Sequence, residues 1–160
     1  MTSVRSYAKE QKLKKSPLSV NDVVSEAVKD FKSTLQDYPL EIDFEGHSSA
    51  PICSLAPLEF ELAVFNLLKN AKEALRTQGA DEPKVSIKIS SDETYCFVNI
   101  SDNGAVISDS DFERMGSVFK SGKASGLGIG LSIVRSIVQN HNGNLVIERG
   151  KYGGLICRIR

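Results

Sequence analysis

Three stretches of this chain carry groups able to handle a charged ligand. In LEFELAVFNLLKNAKEALRTQG, Asn66 and Asn70 lie about 40° apart at the helical increment of about 100° per residue, with Glu73 close to them. Ala63, Asn66, Asn70, Glu73 and Thr77 form a polar ridge, while Val64, Leu67, Leu68, Ala71 and Leu75 form the opposite, core-facing stripe. A solvated helix face is the ordinary account of such a ridge. Asparagine is nevertheless a mediocre helix former, and its amide oxygen is a hard ligand suited to Mg²⁺, which keeps several waters and shares its other positions with phosphates. The second stretch is SDNG, Ser101 to Gly104, which ends a strand. It reads as a turn, or as one that holds the Asp102 carboxylate at a pocket edge to accept a hydrogen bond from an exocyclic amine. The third is GLGIGLSIVRSIVQNHNGNL, where Gly126, Gly128 and Gly130 stand at the start of an apolar helix. Glycines there let backbone N–H groups approach an anion at the positive end of the helix dipole. No GK[ST] follows and no apolar strand leads straight in, so the stretch is neither a P-loop nor a dinucleotide fingerprint. KSGKASG precedes it, with Lys120 and Lys123 able to face phosphates from a mobile lid.

The elements that must position these groups follow from the apolar periodicity. After a polar, basic opening (MTSVRSYAKEQKLKKS), Ser19 or Asn21 caps a helix whose stripe is Val20, Val23, Val24, Ala27, Val28, Phe31 and Leu35. LEIDFEG alternates as a half-buried strand, PICSL is a brief one, and Pro57 opens the long helix that ends near Gly79. PKVSIKISS points Val85, Ile87 and Ile89 inward and pairs across a turn at Asp92 with TYCFVNISDNG, which carries Tyr95, Phe97 and Ile100 on its pleats. The helix after the glycines ends at Asn142–Gly143, and NLVIERG with GGLICRIR closes the chain as a hairpin. The expected architecture is α+β, with three main helices on one face of a mixed, mostly antiparallel sheet.

Composition narrows the class. The 160 residues suit one domain, and 20 basic side chains balance 20 acidic ones, which gives no reason to expect nucleic acid or an anionic membrane as partner. No apolar run approaches the roughly 20 residues needed to span a bilayer, so the chain reads as cytoplasmic. Cys53, Cys96 and Cys157 lack metal-ligand spacing and read as small, reduced, buried hydrophobes.

Taken in order, NLLKNAKEAL, ISDNG and FKSGKASGLGIGLSIVRSIVQNHNGNL resemble the ATP-binding catalytic domain of bacterial sensor histidine kinases, in the superfamily of gyrase-, Hsp90- and MutL-like ATPases. The resemblance covers roughly residues 19 to 160. It implies a two-layer, Bergerat-type sandwich preceded by a tail, residues 1–18, of a dimerisation helix or linker. It implies that Asn70 ligates the Mg²⁺ bridging the ATP phosphates, supported by Asn66 and Glu73, and that Asp102, with Gly104, binds the adenine amino group. It further implies that Phe119 and Lys123 belong to the lid, with Lys123 and Asn70 the electrostatic partners in catalysis. Gly126, Leu127, Gly128, Ile129, Gly130 and Leu131 then form the phosphate-facing second glycine box, its glycines serving also as lid hinge. The implied partners are ATP, a histidine-bearing dimerisation domain and, indirectly, a response regulator, and the parent protein is one that membranes can anchor.

Three departures carry consequences. The first glycine box runs Asp102-Asn103-Gly104-Ala105-Val106, lacking its second glycine, so Val106 is expected to narrow the adenine pocket or weaken nucleotide binding. VFKSGK replaces the aromatic and two threonines that many relatives place before the lid lysine. Asn66 stands where the hydrolysing branches carry a general-base glutamate, which favours phosphoryl transfer over ATP hydrolysis. Neither His47 nor His141 has the acidic context of a phosphoacceptor, and His141 sits where the family has a structural histidine. The chain is therefore read as a fragment that binds nucleotide without phosphorylating itself. The rival readings are a degenerate docking module and an anti-sigma-type serine kinase.

Overall fold

The computed structural model describes residues 14–114 and 127–160. Strand β1 (Ser16–Ser19) leads into helix α1 (Val20–Ser33), followed by β2 (Glu41–Glu45), β3 (Ile52–Leu55) and the long helix α2 (Pro57–Gln78). Strands β4 (Lys84–Ser91) and β5 (Cys96–Asp102), helix α3 (Leu127–Asn140), and strands β6 (Leu145–Arg149) and β7 (Leu155–Ile159) follow, with residues 109–114 also helical.

The main sheet has the order β2-β4-β5-β7-β6, with β2 parallel to β4 and every other pair antiparallel. This is the expected mixed, mostly antiparallel α+β sheet. The register sets Val85, Ile87 and Ile89 on one face, and Val98 and Ile100 join them from β5. The three helices cover that face through Val24, Leu68, Leu75, Val134 and Val138, all essentially inaccessible to solvent. No polar or charged residue is buried among the described residues, so the core is stabilised by apolar burial alone.

Local signals set the helix ends. Ser19 caps α1, its hydroxyl accepting the Asp22 N–H at 3.3 Å. Asn21 does something else: its amide clasps the loop at His47 through the His47 carbonyl at 2.8 Å and the His47 N–H at 3.1 Å. Helix α2 has Pro57 in its first turn and stops at Gly79, whose φ of 64° is the left-handed cap conformation. Helix α3 is the unfavourable one, since Gly128 and Gly130 each cost it about 1 kcal/mol of propensity. Burial of Leu131, Val134, Ile137 and Val138, at about 1.5–3 kcal/mol for each large aliphatic side chain, more than offsets this.

Three expectations need correction. Ser16–Ser19 pairs antiparallel with Ile52–Leu55 in a small second sheet, so the folded body takes in residues assigned above to a tail. Tyr95 and Phe97 lie on the sheet face away from the helices, because Val98 and Ile100 take the inward pleat and a period of two sends odd neighbours outward. Ala63 is fully buried and belongs to the core, leaving Leu62 as the exposed residue of that turn.

Candidate functional site

Helices α2 and α3 run antiparallel, with Gly130 at the first turn of α3 set against the two asparagines of α2. A Cβ added at Gly130 would lie 3.3 Å from Asn70 Oδ1 and 3.4 Å from Asn66 Oδ1. A residue without a side chain leaves both amides free of that tight contact beside the helix N-terminus. Asn66 Nδ2 donates to the Leu62 carbonyl at 2.8 Å, which orients its Oδ1 outward. Asn70 Nδ2 is buried and has no hydrogen-bond partner among the described residues. A buried, orphaned amide N–H donor costs about 1–3 kcal/mol, and one carrying that cost in a cradle of this kind fits a missing acceptor, such as a ligand oxygen. The donor set is amide oxygens and backbone N–H groups, which suits a hard divalent cation and an anion together.

Asp102 closes β5 on the same side of the sheet. Its Oδ1 accepts the Gly104 N–H at 2.9 Å and its Oδ2 accepts the Leu155 N–H at 3.1 Å. Burial pushes the Asp102 carboxyl above its ordinary value, opposed by those two N–H donors, which favour the ionised form. A Cβ at Gly104 would meet Gln78 Oε1 at 2.6 Å and Asp102 Oδ1 at 2.7 Å, so both side chains would have to shift to admit it.

Asn70 and Asp102 line one cleft, a cavity of about 60 Å³ between α2, α3 and the sheet. Leu67, Ala74, Leu131 and Leu155 supply most of its apolar wall, and Cys157 lines it beside Asp102. Burial, and secondarily the Asp102 charge, raises the Cys157 thiol to about 12, so it is present as a neutral wall group. Apolar walls with one carboxylate and one amide suit the edge of an apolar ring that carries a hydrogen-bond donor. A larger cavity, of about 230 Å³, opens beside His141 and Cys53 at the far end of α3, but it contains neither Asn70 nor Asp102. Volume alone does not locate the chemistry.

The expected residues divide as follows. Asn70, Asp102 and Leu131 meet at the cleft, and Asn66 and Gly130 lie beside Asn70. Leu127 and Gly128 open α3, with Ile129 following, so the described part of the second glycine box, from Leu127 onward, begins the helix. Glu73 does not line the cleft; it pairs with Lys69 at 3.9 Å, because it sits about 60° from Asn70 on the side away from the sheet, where Ala74 is about 40° away on the near side. Val106 is 80% exposed and lines no part of the cleft, so it does not narrow the pocket. Phe119, Lys120, Lys123 and Gly126 lie outside the described residues. His141 is structural: Nε2 accepts the Ala56 N–H at 3.0 Å, which leaves Nδ1–H to donate to the Ile137 carbonyl at 2.7 Å. The three cysteines carry free thiols, but each is only half-buried, not buried as expected. Ala74, Gln78, Asn103, Leu155 and Cys157 were not singled out from the sequence. Ala74 was within reach, standing one turn after Asn70, whereas the others depend on strand pairing.

A family model described as histidine kinase-, DNA gyrase B-, and HSP90-like ATPase matches residues 56–160, which include Asn70, Asp102 and the glycine box. The chain belongs to that ATPase family. It is an ATP-binding catalytic domain of the sensor histidine kinase type. Sensor protein TdiS of Thauera aromatica is 26% identical over 137 residues, covering 84% of this chain and 25% of that protein. The catalytic domain of histidine kinase ThkA shares the fold with a TM-score of 0.75 at 21% identity, over 91% of this chain and 92% of that one. The cytoplasmic segment of histidine kinase QseC gives a TM-score of 0.66 at 20% identity, over 91% and 76% of the two chains. The ATPase domain thus spans about a quarter of the length of its relative TdiS. No described helix is long and apolar enough to cross a membrane.

Proposed function

We propose that this domain holds Mg·ATP and presents the γ-phosphoryl group to a histidine on a separate dimerisation domain, as the nucleotide-binding half of a cytoplasmic two-component kinase that passes the phosphoryl group on to a response regulator. The observation that carries the reading is the unpartnered Asn70 amide, set beside Gly130 in the cleft that Asp102 lines. Asp102 orients the base through its exocyclic amine. The Leu67, Leu131 and Leu155 walls exclude water from the base. Backbone N–H groups of the first α3 turn receive phosphate oxygens, and Asn70 Oδ1, supported by Asn66, would hold the cation. When bound, Mg²⁺ supplies charge neutralisation across the phosphates. Lys123 is assigned the complementary role of stabilising charge on the transferring group, and Phe119 and Gly126 are assigned to the lid by the same family resemblance. Catalysis by this set is positioning and electrostatics, and with Asn66 in place of an acid there is no general base for water.

The test is transfer in trans. Incubated with γ-labelled ATP, Mg²⁺ and a histidine-bearing dimerisation domain, the protein should place an acid-labile label on histidine. An acid-stable label on a serine of a partner protein would point instead to an anti-sigma-type kinase. Absence of saturable binding of a fluorescent ATP analogue at millimolar concentration would leave only a docking role. Val106→Gly should not change nucleotide affinity, since Val106 is solvent-facing.

A further inference from the structure

The turn that carries Asp102 is held from three directions. From the sheet, Asn103 N–H donates to the Lys84 carbonyl at 3.1 Å, while the Asn103 amide accepts the Lys84 N–H at 2.8 Å and donates to the Glu82 carbonyl at 2.8 Å. From β7 and the residue before it, Leu155 N–H reaches Asp102 Oδ2 and Gly154 N–H reaches the Ala105 carbonyl at 3.0 Å. From α2 there is a side-chain hydrogen bond to the turn from the last helical residue: Gln78 Oε1 accepts the Ala105 N–H at 2.7 Å.

Gln78 also packs tightly at this point. Its Oε1 and Asp102 Oδ1 occupy the two sides of the space that a Gly104 Cβ would need, at 2.6 and 2.7 Å. Gln78 is exposed and adds nothing to the apolar core. It stands eight residues, about 12 Å along the helix axis, beyond Asn70. The same helix thus carries the phosphate-end amide and, through Gln78, grips the turn that presents the base-reading carboxylate.

We propose that Gln78 is a positioning residue for base recognition, fixing the Asp102–Ala105 turn to α2 so that Asp102 and Asn70 address the two ends of one nucleotide. This rests on the nucleotide-site reading above. Without the Gln78 acceptor the Ala105 N–H turns to water, the turn keeps only its sheet-side anchors, and the Asp102 carboxylate loses its fixed distance from α2. The phosphate end is untouched, so the defect is confined to the base.

The test uses the whole chain and two ligands: ATP, and the triphosphate of purine riboside, which lacks only the 6-amino group. The wild type should prefer ATP by about tenfold or more, the worth of a charge-assisted hydrogen bond. Gln78→Met keeps the length of the side chain and removes the acceptor. It should weaken ATP by about three- to tenfold and leave the riboside triphosphate within about twofold, so that the preference collapses. Hydrogen exchange read by NMR should show the Ala105 amide losing protection, with the urea midpoint within about 0.3 M of wild type. Retention of the full ATP preference by Gln78→Met, equal weakening of both ligands, or unchanged Ala105 protection would each overturn the assignment. A wild type without any preference would instead overturn the site reading itself, an outcome visible before any variant is made.

Discussion

Replacing Gly154 with alanine should cost far more than replacing Gly79, although the two have nearly the same backbone. Their φ angles are 70° and 64°, both in the left-handed region. An L-residue there costs about 1–2 kcal/mol, and alanine recovers about 0.4–1 kcal/mol by restricting the unfolded chain. Gly79→Ala has no heavy atom within 4 Å of the new Cβ, so backbone strain is its whole effect, a net loss of about 1 kcal/mol. At Gly154 the new Cβ would overlap the Asp102 backbone carbonyl and lie 2.5 Å from Asp102 Oδ1. Overpacking against backbone adds about 1–3 kcal/mol, giving a total of about 2–4 kcal/mol. With a urea slope of about 2 kcal/mol per molar, the midpoint should fall by about 0.5 M for Gly79→Ala and by about 1–2 M for Gly154→Ala. Because the overlap falls on Asp102, only Gly154→Ala should lose affinity for a fluorescent ATP analogue. Equal midpoint shifts, or a Gly154→Ala protein that binds nucleotide as well as wild type, would show that β7 does not press on the Asp102 turn.

Asn70→Ala removes an orphaned amide, so stability should hold within about 1 kcal/mol while ATP affinity in Mg²⁺ falls by about tenfold or more. Equal losses with and without Mg²⁺ would reduce Asn70 to a packing role. The Asp102 carboxyl is raised chiefly by burial, so its contribution to stability is complete below the ordinary value of 3.8 and is lost as pH rises through the raised one. Asp102→Asn should flatten that segment of the stability profile. Nucleotide affinity runs the other way, weakening as acidification protonates Asp102, and earlier than an ordinary carboxylate would; affinity that holds down to the usual carboxylate range would count against burial of this group. His141→Phe keeps the ring but strands the Ala56 N–H, while the Ile137 carbonyl keeps the backbone N–H of residue 141, and should lower stability by about 1–3 kcal/mol, read by urea unfolding. An unchanged midpoint would deny the histidine its structural part.

Much of the site was legible because its chemistry is local. Asn66 and Asn70 share a face by helical period, Asp102 ends a strand beside Gly104, and the glycines precede an apolar stripe. What was not legible depends on partners distant in sequence. Gln78 looks like any polar residue before a helix-ending glycine until Ala105 is folded back to it. Ser16–Ser19 has no strand pattern of its own and becomes a strand only through Ile52–Leu55. The β5 aromatics suggested the wrong pleat because a strand's alternation carries no label for which face is inside; the cross-strand match of Val98 to Ile89 decides it. Glu73 was drawn to the site by sharing the polar ridge of α2, yet the sheet lies on the other flank of Asn70.

The histidine clasp gives α2 and α3 the mechanics of tongs. Their rivet is the bond from Ala56 to His141, and their jaws are the asparagine pair and Gly130. From Gly130 to His141 the arm is 11 residues, about 16 Å of helix, so a tilt of about 5° at the rivet displaces the jaw by about 1.4 Å. The distance between Gly130 and the asparagine pair thus depends on the packing angle of two helices pinned about 16 Å away.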